Sequence, residues 1–295
     1  MKFYIVTPTY NSLSWVQRCM LSVADQVEEG VEVHHHVQDG GSSDETVEYL
    51  KSWQAEHDGV AGYTFTWEST KDAGMYDAIN KAWEKMPEDA DVTAHLNSDE
   101  QYLPHALRGV ADGFALHKGA HILLSSYFVL DMNSRYICHR RPIMPYNWIS
   151  QTVCEIVTCA AFHSVPEFRA HGKRFDTQWK IIGDLVHYRD ILATCPRIAV
   201  MPKLFTSSFT VTGNNLGWSK AVEEESRRSR TTVPGYARKL SNLAGFVANV
   251  KRRSCDLWYA APREYSVYML DSSVRESRTI KRPTSHWGCR EEGEV

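Results

Sequence analysis

Over the first hundred residues, short apolar runs alternate with helical stripes. Phe3 to Val6 is an apolar run of strand length, and Trp15, Val16, Cys19 and Val23 then fall on one helical face. Val33, His35 and Val37 alternate at strand period. The segment from Asp39 to Glu45 turns into a helix with the stripe Val47, Leu50 and Trp53, and Ser42 and Glu45 have the spacing of a capping box. Tyr63, Phe65 and Trp67 predict a third strand. Met75, Ile79, Ala82 and Met86 predict a helix that Pro87 stops, and Val92 to Leu96 predicts a fourth strand. This βαβ alternation predicts an α/β chain built on a mostly parallel sheet flanked by helices.

Further on, Leu107, Val110 and Phe114 share a helical face, and His121 to Leu130 reads as a longer strand ending in the turn Asp131-Met132-Asn133-Ser134. Beyond residue 140 the pattern loosens. It predicts a helix from Ile181 to Leu192, with Asp184 in its first turn, and a short strand at Ile198 to Val200. Tyr236, Leu240, Leu243, Val247 and Val250 keep helical spacing beside Arg238, Lys239 and Lys251-Arg252-Arg253. Two uses of that helix stay open: lying on an anionic membrane surface (residues 236–253), or packing on the rest of the chain or on a second copy in a homo-oligomer.

Composition narrows the class. A chain of 295 residues holds one large α/β domain or a domain with an appendage, and 43% hydrophobic residues exclude a disordered chain. The net charge of −3 excludes a protein built to coat nucleic acid. Basic character is local: residues 220–255 carry nine Lys or Arg against three Glu. The seven cysteines are scattered without a CxxC pair, which fits a reducing compartment and neither a disulfide framework nor a zinc ribbon. The apolar start is too short for a signal peptide and no apolar run is long enough to span a bilayer. The expected place is therefore the cytoplasm, or its side of the membrane.

The chain has no GxGxxG, no GxxxxGK[ST] and no HExxH, which argues against dinucleotide oxidoreductases, P-loop NTPases and zincin proteases. What remains is Asp39, Asp72 and Asp99 on loops at the carboxyl ends of strands, where open α/β sheets take their ligands. Carboxylates there accept hydrogen bonds from a base or ribose and hold a hard dication that neutralises a diphosphate. Any one of them alone also reads as a turn former or helix cap. His34-His35-His36 does not make a metal site, because strand alternation sends His35 to the face opposite its neighbours. His163 and His187 stay outside the candidate set, and Cys154 and Cys159 read as packing residues.

Four stretches, Val6-Thr7-Pro8-Thr9-Tyr10-Asn11, Gln38-Asp39-Gly40-Gly41-Ser42-Ser43-Asp44, Asp72-Ala73-Gly74-Met75-Tyr76-Asp77-Ala78-Ile79-Asn80-Lys81 and Leu96-Asn97-Ser98-Asp99-Glu100, resemble family 2 glycosyltransferases of the GT-A fold, of the capsule type, in order and spacing. A fainter match continues through Phe175-Asp176 and Gly183-Asp184 to Gly213-Asn214-Asn215-Leu216. The resemblance implies a GT-A catalytic domain over residues 1–218 and a basic, partly helical extension over 219–295. Within the domain, 1–102 would bind the nucleotide sugar and 103–218 would carry the acceptor side and the base.

The roles implied are specific. Pro8, Thr9 and Tyr10 line the nucleotide pocket, Asp39 meets the base, and Asp72 with Gly74 borders the donor. Asn97-Ser98-Asp99 stands at the family's DxD metal motif, with Asp99 on Mn²⁺ or Mg²⁺ and Asn97 near the ribose. Here Asn replaces the first Asp, which lowers the charge of the site. Asp184 is the implied base and Asp176 the runner-up; the N-terminal end of a helix favours an ionised carboxylate. The implied reaction is inverting transfer of one sugar from a UDP-, GDP- or dTDP-sugar to a hydroxyl on a glycan or lipid-linked acceptor. No QxxRW follows the base, which favours single addition. Two rivals stay open: a non-catalytic nucleotide-sugar binder, and a sugar nucleotidyltransferase. The latter wants a Gly-rich basic loop, and Thr7 to Ser14 has no Gly, Lys or Arg.

Overall fold

The computed structural model describes residues 1–153, 155–213, 215, 220–270 and 272–286. Cys154, Asn214, Leu216 and Cys289 lie outside the described residues. Strands β1 (Lys2–Thr9), β2 (Glu32–Asp39), β3 (Tyr63–Ser69) and β4 (Val92–His95) run parallel in the order β3-β2-β1-β4. β1 and β2 run past their apolar stretches, and their register continues to Thr9 opposite Asp39. That pairing sets two candidate residues side by side at the carboxyl edge.

Alternation along β1 divides the core. Phe3 and Ile5 pack with Val16, Cys19, Leu50 and Trp53, from α1 (Leu13–Ala24) and α2 (Thr46–His57), and with Leu107 and Val110 of α4 (Ala106–Leu116). Tyr4 and Val6 face Ile79 and Trp83 of α3 (Met75–Glu84) and Phe168 of α6 (Val165–His171). Each fully buried apolar side chain of this size contributes roughly 1.5–3 kcal/mol, so strands buried on both faces hold the edge loops on a rigid base. Ser42 and Glu45 do not form a capping box. α2 begins at Thr46, Ser42 is drawn instead to Asp39, and Asp44 Oδ1 accepts from the Thr46 amide at 3.1 Å.

The sheet continues past β4 through the long strand expected at His121–Leu130 and through strands at Gln101–Tyr102, Tyr136–Arg140 and Ala161–Ser164, which the pattern did not reveal. β8 (Ala161–Ser164) lies antiparallel between β4 and β6 (Ile122–Asp131), followed by β9 (Ile198–Val211) and β5 (Gln101–Tyr102); β7 (Tyr136–Arg140) pairs with the far half of β6. The short strand expected at Ile198–Val200 is thus the start of a 14-residue strand. α5 (Asn147–Ser150) follows β7, and α7 begins at Gly183 and ends at Leu192, with Asp184 in its first turn as expected.

The C-terminal part is α8 (Lys220–Thr232), α9 (Gly235–Lys239), α10 (Ser241–Trp258) and the hairpin β10 (Glu264–Tyr268) and β11 (Arg275–Thr279). It is part helix and part hairpin. The hairpin is tied to the first half: Gln101 exchanges two hydrogen bonds with the Tyr268 backbone, and Arg275 meets Asp25 at 2.5 and 2.9 Å. The helical stripe expected over 236–250 is broken at Leu240, and of its side chains Val247 packs inward in part while Tyr236, Leu240, Leu243 and Val250 are exposed. α10 lays Ala244 and Ala248 against Ile143 and Ile149 and leaves Leu243, Phe246 and Val250 exposed. Among the described residues no helix is long and apolar enough to cross a membrane.

Candidate functional site

Three loops at the carboxyl edge of β1, β2 and β3 are pinned to one another by short polar contacts. Asn11 donates its amide to Ser42 Oγ at 2.7 Å, and its Oδ1 accepts from the Ser43 amide at 2.8 Å. The buried Asp39 carboxylate accepts from the amides of Gly41 and Ser42 at 3.0 and 2.9 Å and from the hydroxyls of Ser42 and Ser69 at 2.5 and 2.6 Å. Three of these fall on Oδ2 and one on Oδ1, which keeps an acceptor site for a further donor. Asp39 thus shapes the Gly40–Ser42 turn from the carboxyl end of β2.

Gly40 closes the gap to the next loop. A Cβ built there would lie 2.7 Å from Asp72 Oδ2 and 3.4 Å from the Tyr10 ring. Tyr10, the loop after β2 and Asp72 thus converge, with Pro8 and Thr9 buried beneath and Tyr10 63% exposed above. Gly74, at φ +117°, donates its amide to Asp72 Oδ1 at 2.8 Å; a side chain there would be strained. Gly40→Ala is expected to force the Asp72 carboxylate aside and cost about 1 kcal/mol as its bond with the Gly74 amide is given up, read by urea denaturation. Unchanged stability would mean that these loops do not meet as described.

The fourth loop joins through hydroxyls: Thr9 Oγ1 lies 2.6 Å from Ser12 Oγ, which donates to Ser98 Oγ at 3.2 Å. Glu100 turns inward from this loop. Its Oε2 accepts from the Asn97 amide at 2.8 Å, and its carboxyl is pushed well up by burial and by the neighbouring Asp99. The half-buried Asp99 has its carboxyl pushed up to about 6 by burial, against the opposing pull of the Arg18 charge. Asn97 Oδ1 is buried with no hydrogen-bond partner.

One carboxylate and one unsatisfied amide oxygen suit a hard dication whose remaining ligands are diphosphate oxygens and water. They do not make an all-protein cage, and among the described residues no group of three His, Cys, Asp or Glu can hold a metal ion. The histidine run follows the expected alternation: His34 and His36 both meet Thr66, while His35 meets Thr7 and Tyr63 on the other face. His163 bonds the Tyr188 hydroxyl and His187 stacks on Phe175 at 4.2 Å, so both are core groups. Cys159 is likewise buried.

Asp184 is carried to this edge by α7, and Tyr76 makes the link. The Tyr76 hydroxyl donates to the Ile181 carbonyl at 3.0 Å and accepts from the Asp184 amide at 3.2 Å, while Gly183 sits so close that a Cβ there would lie 2.5 Å from the ring. Lys180 Nζ reaches back to the Ala73 carbonyl at 2.6 Å, beside Gly74. The half-buried Asp184 accepts from the Leu185 amide at 2.7 Å. Asp176 is exposed and folded onto Gln178, whose amide it accepts at 3.1 Å.

Sequence reasoning missed Glu225 of α8. Its carboxylate accepts from the amides of Lys180, Ile181 and Ile182 at 2.8, 2.9 and 3.2 Å, occupying donors ahead of α7 that have no helical partner. Nothing marks this Glu among its acidic neighbours, because the contact spans more than 40 residues. Tyr76 lies within the Asp72–Lys81 stretch, and nothing local in the sequence marks its hydroxyl as the link to α7.

The family model described as Glycosyl transferase family 2 matches residues 4–171. An uncharacterized glycosyltransferase of Mycobacterium tuberculosis (strain H37Rv) is 36% identical over 77 residues, which is 26% of this chain and 26% of that protein. The chain thus matches about a quarter of the length of its curated relatives. Among solved structures, S. aureus TarS 1–349 in complex with UDP-GlcNAc superposes with a TM-score of 0.57 at 16% identity, covering 78% of this chain and 64% of that one. The mannosyltransferase PcManGT from Pyrobaculum calidifontis in complex with GDP-Man and Mn²⁺ gives 0.57 at 15%, covering 86% and 71%. At such identities the likeness speaks to the fold, which is that of the GT-A glycosyltransferases. With the family match spanning more than half of its residues, the chain belongs to glycosyl transferase family 2.

Proposed function

We propose that the chain transfers a single sugar from a nucleoside diphosphate sugar to a hydroxyl acceptor, with inversion, in the assembly of a glycan or polysaccharide. The observation that carries this reading is the convergence of the loops of Tyr10, Gly40, Asp72 and Ser98, with Tyr76 tying the Asp184 loop to the loop of Asp72. The exposed Tyr10 ring offers a face for the base, above Pro8 and Thr9. Asp39 holds the turn beside it, and Asp72 and Gly74 border the donor. Asn97, Ser98 and Asp99 sit toward the ribose and diphosphate.

Asp99, with Asn97, would hold Mn²⁺ or Mg²⁺; when bound, such an ion offsets the charge growing on the departing diphosphate. Asp184 takes the proton of the acceptor hydroxyl as its oxygen bonds to the anomeric carbon. The bond from that carbon to the diphosphate breaks on the opposite face, and its electron pair leaves with the nucleoside diphosphate. The UDP-GlcNAc bound by TarS and the GDP-Man and Mn²⁺ bound by PcManGT support a nucleotide-sugar donor and a divalent ion here. The acceptor class is a glycan or a lipid-linked sugar.

A non-catalytic nucleotide-sugar binder is the second reading, favoured by Asn97 in place of a carboxylate. Release of free nucleoside diphosphate separates the two. UDP-, GDP- and dTDP-sugars are incubated with the protein, Mn²⁺ and cell-derived glycan or lipid acceptors. Acceptor-dependent release with one donor is expected; tight donor binding with no release across the panel would establish the binder instead.

A further inference from the structure

α10 turns the usual arrangement of a surface helix inside out. Its packed face carries the small Ala244 and Ala248 with the partly buried Val247 and Cys255, while Leu243, Phe246, Val250 and Leu257, spaced at i, i+3, i+7 and i+14, share the face turned to solvent. Phe246 is 65% exposed, Leu257 88% and the adjoining Trp258 83%. Tyr236 of α9 and Leu240, between α9 and α10, are exposed as well. At the other side, Lys251 bonds the Met144 carbonyl and stands 3.9 Å over the Tyr146 ring, adding two more exposed apolar side chains. An apolar face this long on a folded chain marks an interaction surface.

Charge identifies the occupant. The exposed charges on α9 and α10 are Arg238, Lys239 and Arg253, all cationic. Asp256, the single acidic residue between 235 and 259, is engaged with Arg141 at 3.3 Å and His139 at 3.2 Å. A second copy docked by a two-fold axis would bring the same cations against themselves. An anionic bilayer offers both an apolar interior for Leu243, Phe246 and Val250 and phosphate charge for the flanking cations. We infer that α9 and α10 dock the protein on an anionic lipid surface, lying in the interface without crossing it. The inference stands apart from the transferase reading, since it rests on neither the donor loops nor Asp184.

Cosedimentation tests it with the full chain and vesicles of phosphatidylcholine alone or mixed with phosphatidylglycerol. Binding to the mixed vesicles is expected, weaker binding to the neutral ones, and release by high salt. The combined variant Leu243→Asn, Phe246→Asn and Val250→Asn is expected to bind at least about tenfold more weakly. The combined variant Arg238→Gln, Lys239→Gln and Arg253→Gln is expected to bind about a hundredfold more weakly. All six positions are exposed, so the fold should survive, with circular dichroism as the control. Wild type left in the supernatant beside anionic vesicles would overturn the inference, as would equal binding by the apolar variant. A dimer that this variant dissociates, in a protein indifferent to vesicles, would assign the face to a second copy.

Discussion

Asp184→Asn is expected to slow sugar transfer by about a hundredfold to ten-thousandfold, the usual worth of a positioned general base. In barrier terms that is about 3–5 kcal/mol. The amide keeps the shape and the oxygen that accepts from the Leu185 amide, but it cannot take a proton from the acceptor hydroxyl. The backbone contact of Asp184 to the Tyr76 hydroxyl does not involve the altered group, so the loop and donor affinity should be retained. Measuring kcat beside a donor titration separates these effects. A wild-type rate in a folded variant would remove Asp184 from the base role. Asp176→Asn is expected to change the rate little, because that carboxylate is exposed and engaged by Gln178.

The second large effect is acid instability. Burial lowers the ring pKa of His35 and His95 to about 3 and of His36 and His163 to about 4, and it lowers His187 well below its usual value. In the unfolded chain each ring titrates near 6.5. Below that pH the unfolded state binds the extra protons, so the stability these neutral rings contribute is complete above about 6.5 and is lost as the pH falls toward the folded values. Each fully shifted ring costs up to about 1.4 kcal/mol per pH unit in that window. Several together outweigh the opposite contribution of Asp99 and Glu100, whose raised carboxyls favour the folded state as the pH falls, and a marked net loss of stability by about pH 5 is expected. Chemical denaturation between pH 7 and 5 should show a steep decline. His187→Phe, replacing a ring stacked on Phe175, should make that decline shallower. Stability flat from pH 7 to 5 would contradict the burial of these rings.

The first half of the fold was legible because its signals are local. Each strand from β1 to β4 has an apolar core and ends in a polar loop, and the stripe of α3 ends near Pro87. Even there, the spacing of Ser42 and Glu45 points to a cap that does not form, since competition between helix capping and the Asp39 carboxylate is settled only when β2 brings Asp39 to the turn. The second half was obscure because its strands bury polar residues. Thr206, Ser207, Ser208 and Thr210 of β9 are all buried, Ser125 Oγ meets Thr206 Oγ1 at 2.6 Å, and the register slips around Ser126. Hydropathy does not register such a strand. The C-terminal stripe was legible as a helix, but its orientation depended on Ile143 and Ile149, about a hundred residues earlier, accepting alanines. The candidate site shows the same division: its acidic loops could be read from short motifs, whereas the carboxylate of Glu225 on the approach to α7 is a contact of tertiary structure alone.

Calorimetric titration of UDP-, GDP- and dTDP-sugars, with and without Mn²⁺, into wild type and Asp99→Ala tests the central claim most directly. One donor is expected to bind wild type in a Mn²⁺-dependent manner. Asp99→Ala is expected to weaken that binding by at least about tenfold, roughly 1.4 kcal/mol, with Mn²⁺ no longer mattering. Binding by Asp99→Ala equal to wild type, or donor binding indifferent to the ion in both proteins, would contradict a donor held at this edge of the sheet through Asp99.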